Sequence, residues 1–293
     1  MVSVVKAAPD TLVQSLRDAN LEDVDSLDAL ARPSLYIATS QTSLSNLPIG
    51  ASRFGGSPDV PEPFDWPRHR ERPLTFLGQI ALAELCVPEL PNTGWLLFFY
   101  DVAETPMGFD PLHRGGARVF YVDTTLDQLR RIEHPDVTSA GGPFEPCTLQ
   151  FTSHLTLPDW EDRVLETYRK SHPNSTAEPY QSAVNALNLW DRARPHHQLL
   201  GHPELLNGDM RGQCALVTQG IYCGDLSGYQ SARAEQLLRE TANEWVLLLQ
   251  LDNDEPGPSW LWGDEGRVCF FIKRADLIAK HFDQTWLVLQ CSG

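Results

Sequence analysis

Gly94-Trp-Leu-Leu-Phe-Phe-Tyr100 aligns without a gap to Gly266-Arg-Val-Cys-Phe-Phe-Ile272, and these two stretches decide the fold. Each reads as a strand entered from a glycine turn. Side chains alternate along a strand, so the two Phe of each pair point to opposite faces. Burial on both faces implies sheets covered by helices or by each other. Outward from the glycines, each stretch is preceded by a Leu-x-Gln-hydrophobic segment, Leu77-Gly-Gln79-Ile80 and Leu248-Leu-Gln250-Leu251. The interval from Gln to Gly is 15 residues in the first case and 16 in the second. Further upstream, Gly56-Ser-Pro58 is echoed by Gly201-His-Pro203, with an insertion of about 26 residues in the second copy. Three matches in one order predict an α+β fold. The expectation is an internally duplicated unit of β-strands with covering helices, in a pseudo-twofold arrangement. Duplicated units of this kind often leave a cleft at the axis.

The rest of the chain divides around that repeat. Residues 1–49 are expected to form an N-terminal helix and strand, 50–145 the first repeat half, and 146–293 the second half with a helical insertion, all parts of one compact globular unit. Residues 10–30 carry a helical pattern through Leu12, Val13 and Leu16, which Pro33 ends. Ser34–Thr39, Phe76–Ile80, Gly94–Val102 and Arg118–Asp123 read as strands, and Thr125–Ile132 as a short helix. The proline-rich stretch 52–67 reads as a structured loop, and 133–158 as the loop between halves. Helices are expected at 159–170, 179–192, 229–241 and 275–280, and strands at 245–252, 267–272 and 285–290.

Composition narrows the function classes. The chain has 293 residues, 42% of them hydrophobic, enough to bury roughly three quarters of its unfolded surface. Its formal charge of −16 argues against nucleic acid, whose affinity comes from Lys and Arg displacing counterions. An anionic membrane surface repels it for the same reason. No apolar run approaches the roughly 18 residues that a membrane helix needs. The six Cys form no Cys-x-x-Cys pair, so buried thiols in a cytoplasmic setting are expected. A basic protein partner or a small polar ligand is compatible with this surface.

Phe54-Gly-Gly-x-Pro58, Asp65-Trp-Pro67, Phe76-Leu-Gly-Gln-Ile80 and Gly94-x-Leu-x-Phe-Phe99 in the first half form one set of motifs. His197-Gln-Leu-Leu-Gly-His-Pro203, Trp245-x-Leu-Leu-Leu-Gln-Leu-Asp252, Trp262-Gly-Asp-x-Gly266 and Phe270-Phe-Ile272 form the other. Together, from about residue 50 to the end, they resemble the YwqG-like family of bacterial proteins, a domain-of-unknown-function family. The resemblance implies a duplicated α+β fold and carries no activity with it.

The residues themselves hold no specific catalytic signature. There is no Gly-x-Ser-x-Gly elbow, and Gly55-Gly56 lacks the Gly-Lys-Ser/Thr of a phosphate loop. His196-His197 with His202 is the densest histidine cluster, but a turn separates the rings, and no metal or cofactor is expected. The acids between Asp252 and Glu265 lack calcium-loop spacing, and Asp264 is expected to brace the turn before Gly266. Gln79 and Gln250 lie in apolar strands, so each either locks backbone or points into a cleft. Arg53, His197, Asp252 and Trp262 complete the candidate ligand-binding set with Gln79, Gln250 and Asp264, Arg53 offering a fork for an anionic group. The favoured reading is a non-catalytic binding or protein-interaction module. An enzyme acting on a small polar or anionic substrate between the halves is the alternative, and a structural scaffold the third.

Overall fold

The computed structural model describes residues 9–85, 87–135, 143–187 and 195–292. Its strands in chain order begin with β1 (Arg32–Gln41), β2 (Arg53–Phe54), β3 (Asp59–Pro61), β4 (Arg68–His69), β5 (Arg72–Pro73), β6 (Thr75–Ala81) and β7 (Trp95–Tyr100). They continue with β8 (Ala117–Val122), β9 (Leu129–Arg131), β10 (Cys147–Thr156), β11 (His197–Leu200), β12 (Trp245–Asp252), β13 (Arg267–Lys273) and β14 (Trp286–Gln290). Ten of them form one antiparallel sheet in the order β14-β13-β12-β11-β1-β10-β2-β6-β7-β8.

At the centre of that sheet β1 and β10 pair over ten residues, from Arg32 opposite Thr156 to Gln41 opposite Cys147. Outward from them the order runs in matched steps: β11 against β2, β12 against β6, β13 against β7, β14 against β8. The details match as well. Gln198 lies opposite Gln250, as Arg53 lies opposite Gln79. A register shift falls between Phe76 and Gly78 in one half and between Leu247 and Leu249 in the other. Such a bulge turns two consecutive residues toward one face.

The sheet curls until its ends nearly meet. Phe98 on β7 and Phe270 on β13 touch edge to face, with ring centroids 5.2 Å apart. Leu289 of β14 donates its N–H to Met107 O, in the connection between β7 and β8. The inner face is therefore a closed apolar core containing Phe54, Phe98, Tyr100, Trp260 and Phe270. The outer face is covered in pieces. Phe99 packs outward with Phe76, Val60 and Trp66. Phe271 packs outward under helices α5 (Met210–Val217) and α6 (Ala232–Thr241), whose ranges follow those of α1 (Pro9–Asp18), α2 (Val24–Asp28), α3 (Glu166–Ser171) and α4 (Ala177–Leu187). These first four helices cover the ends of the central pair. The two Phe of each repeat stretch thus face opposite ways, as the alternation requires.

Several expectations are corrected. Residues 10–30 form two helices, because Asn20 and Asp23 adopt positive φ and Asp23 caps the second one with its side chain. The stretch expected to be a loop between halves contains β10, a central strand, whose pairing with β1 overrides its polar composition. Part of that stretch, and the end of the helix expected at 179–192, lie outside the described residues. Thr125–Ile132 is a 3-10 turn followed by β9, and the helix expected from 159 is capped at Asp162 and regular only from Glu166.

Candidate functional site

The two strand glutamines share two hydrogen bonds to backbone. Gln79 accepts from the Asp59 N–H at 2.9 Å and donates to Ala51 O at 3.0 Å. Gln250 accepts from the Glu204 N–H at 3.0 Å and donates to His196 O at 2.9 Å. Both are fully buried, and both tie the turn that follows the neighbouring strand. Those turns share their backbone: Gly55 and Gly56 have φ of 65° and 68°, Leu200 and Gly201 φ of 61° and 77°. Arg53 Nε donates to Ser57 O, and Gln198 Nε2 donates to His202 O. Each turn then presents a carboxylate after its proline, Asp59 after Pro58 and Glu204 after Pro203.

The first of these carboxylates is sealed. Asp59 accepts from Arg53 at 2.8 Å, from the Gly50 N–H at 2.7 Å, and from Arg131 at 2.9 and 3.3 Å. Burial alone would raise its pKa, but the hydrogen bonds from Arg53 and Arg131 outweigh it and hold Asp59 below the ordinary value. Burial pushes the Arg53 guanidinium down from its ordinary range, and Asp59 partly offsets that. Arg53 has no solvent exposure, so its fork is directed to Asp59 and Ser57.

The second carboxylate opens on a cavity of about 750 Å³. Asp159, His196, Glu204, Asp252, Glu265 and Arg267 supply much of its polar wall. Glu204 joins His196 Nδ1 at 2.7 Å and Arg267 at 2.8 Å, and Arg267 also reaches Asp252 at 3.5 Å. Asp252 accepts in addition from the His196 N–H at 2.9 Å. Burial raises the pKa of Asp159, against a lowering hydrogen bond from the Glu161 N–H. A large concave site with a few convergent, fixed polar groups is the usual form of a ligand pocket. This wall can anchor hydrogen-bond donors and positive charge.

The described lining residues of the cavity run from Thr156 to Arg267. Inside the curled sheet the space is filled, with Phe54 on Trp260 at 4.9 Å and Tyr100 on Trp262 at 6.2 Å beside the Phe98–Phe270 contact. The sequence-predicted residues are accordingly dispersed. Asp252 lines the cavity, and Gln250 holds the Glu204 backbone beneath it. His197 accepts from the Asp252 N–H through Nδ1 and donates through Nε2 to Asp254, itself held by Thr39. Trp262 is buried and donates to Asp252 O. Asp264 is exposed, its carbonyl accepting from Ser292 across the turn. Arg53 and Gln79 belong to the sealed Asp59 turn. Sequence reasoning missed Asp159, Glu204 and Arg267. Aligning Pro58-Asp59 with Pro203-Glu204 was the available signal for Glu204.

The histidines also separate: His196 pairs with Glu204, His197 with Asp254, and His202 bridges Leu30 O and Arg211. Among the described residues no three His, Cys, Asp or Glu side chains converge on a metal position, and no helix is long and apolar enough to cross a membrane. No curated protein matches the chain. Residues 52–291, most of the chain, match the family described as a domain of unknown function, DUF1963, and the protein belongs to that family.

Proposed function

We propose that the protein is a non-catalytic binding module whose ligand site is the cavity beside Glu204. The observation that carries this reading is the state of the wall: Glu204, His196, Asp252 and Arg267 are already joined to one another. A site whose polar groups are held in place before binding loses little entropy when the ligand arrives. The frame is read as two diverged copies of one unit, residues 50–145 and 146–293, on the support of the matched strand order, bulges and glutamine bonds. The motifs around Phe54, Gln79 and Trp262 support placing the chain with the YwqG-like members of its family. Five described cysteines are free thiols, four of them buried, which supports a cytoplasmic setting.

The test is native mass spectrometry of the protein from its own cells, beside a Leu206→Trp variant that fills the cavity. A bound small molecule or partner that is lost in the variant supports the reading. Equal retention by both proteins removes the cavity from consideration.

A second reading, an enzyme acting on a small polar substrate, draws on Asp159. A carboxyl raised by burial at the edge of a cavity is suited to general-acid chemistry. It requires turnover that Asp159→Asn abolishes while binding survives. Silence across a broad substrate panel sinks it.

A further inference from the structure

We propose that the cavity beside Glu204 takes a guanidinium group, an inference that rests on reading the cavity as a ligand site. The sealed Asp59 turn shows what surrounds the equivalent carboxylate when its pocket is full. There Arg53 supplies one guanidinium, and Arg131, reaching back from β9, supplies a second. Arg131 forks onto both Asp59 oxygens and donates also to Leu44 O and Pro48 O. The side chain of Leu126, just before β9, fills the space over Gly50 beside Trp95.

The matching positions in the second half are Pro195 for Gly50 and Arg267 for Trp95, by the alignment of the two turns and of Gly94 with Gly266. Both line the cavity. Arg267 binds Glu204 and Asp252, so one guanidinium is present there, as Arg53 is in the first half. Among the described residues, the space that Leu126 and Arg131 occupy on one side corresponds to part of the cavity on the other. Its charge agrees: among the described lining residues Asp159, Glu204, Asp252, Glu255 and Glu265 face the single arginine Arg267. His202 adds no positive charge near neutrality, because burial holds its pKa at about 4. An anion would be repelled from this wall, and a planar guanidinium matches carboxylates two oxygens at a time.

Isothermal titration of the full chain with N-acetyl-L-arginine amide, its neutral citrulline isostere and the lysine amide tests this. The arginine amide is expected to bind at least ten-fold more tightly than either. Asp159→Asn and Glu265→Gln should each weaken it about ten-fold; Glu265 is exposed, so its variant remains informative if the other misfolds. Agmatine binding as well as the capped residue would identify a free small molecule, whereas preference for the capped form would identify an arginine side chain of a protein. Equal affinity for arginine and citrulline amides, or no effect of either variant, overturns the proposal. If an acetyl-aspartate amide binds instead, and Leu206→Trp blocks it, the cavity is still a ligand site and only the guanidinium assignment fails.

Discussion

Gln79 and Gln250 are each surrounded by apolar strand, yet each spends its amide on backbone of the preceding turn. Gln79→Leu and Gln250→Leu each remove the acceptor of a backbone N–H, that of Asp59 in one and of Glu204 in the other, at about 1–3 kcal/mol. Urea unfolding should show a loss of comparable size in both variants, and a loss in only one would separate their roles. The aligned glycines differ in their reasons. A Cβ would stand 2.6 Å from Val122 O at Gly94 and 2.4 Å from Trp262 O at Gly266, but only Gly94 adds a positive φ, 82°. Buried histidines make the fold sensitive to acid. Burial holds His154 and His202 at about 4, below the ordinary 6.5. The unfolded chain therefore binds protons between those values that the native state refuses. The contribution of these two histidines is fully present above pH 6.5 and declines as pH falls toward 4, by up to about 1.4 kcal/mol per unit for each. A urea midpoint that stays flat over that window contradicts this assignment.

The strands that were legible are those whose residues have nowhere else to go. Trp95–Tyr100 and Arg267–Lys273 are apolar on both faces, and both faces are covered. Phe98→Ala and Phe270→Ala remove opposite sides of one contact across the core. Each should cost about 3–5 kcal/mol in denaturant unfolding. The double variant should cost less than the sum, because the two rings touch; strict additivity would deny the contact. Among the strands that were not legible, β10 and β11 have mixed polar and apolar sequences. Cys147–Thr156 mixes buried, partly exposed and exposed positions without a regular period, and ten paired partners on β1, with two more on β2, make it a strand. His197–Leu200 is four residues long and owes its state to β1 and β12 on either side. Local propensity over so few residues is too weak to resist tertiary pairing.

The curled sheet depends on its seam as much as on its strands. Gly108 lies against β14, where a Cβ would stand 2.0 Å from Leu287 O, and its φ is 83°. Gly108→Ala should therefore lift the 101–116 connection from β14. Faster amide exchange at Leu289, whose N–H is bonded to Met107 O, would register it, while protection of the β1–β10 pair stays unchanged. Exchange unaltered at Leu289 would mean the seam is not held there. The mixed α and β composition, the two diphenylalanine strands and the paired glutamines all follow from residue order, because alternation and burial act on neighbours in the chain. The position of the candidate site does not. Arg53 looked available for a ligand and is closed over Asp59, whereas Glu204, in the matching position, borders open space. Both follow a proline in a turn with the same backbone. What separates them is Arg131, which lies 72 residues beyond Asp59 in the chain and forks onto it. Contacts at that separation are fixed by how the sheet curls and its connections fold back, and no local pattern records them.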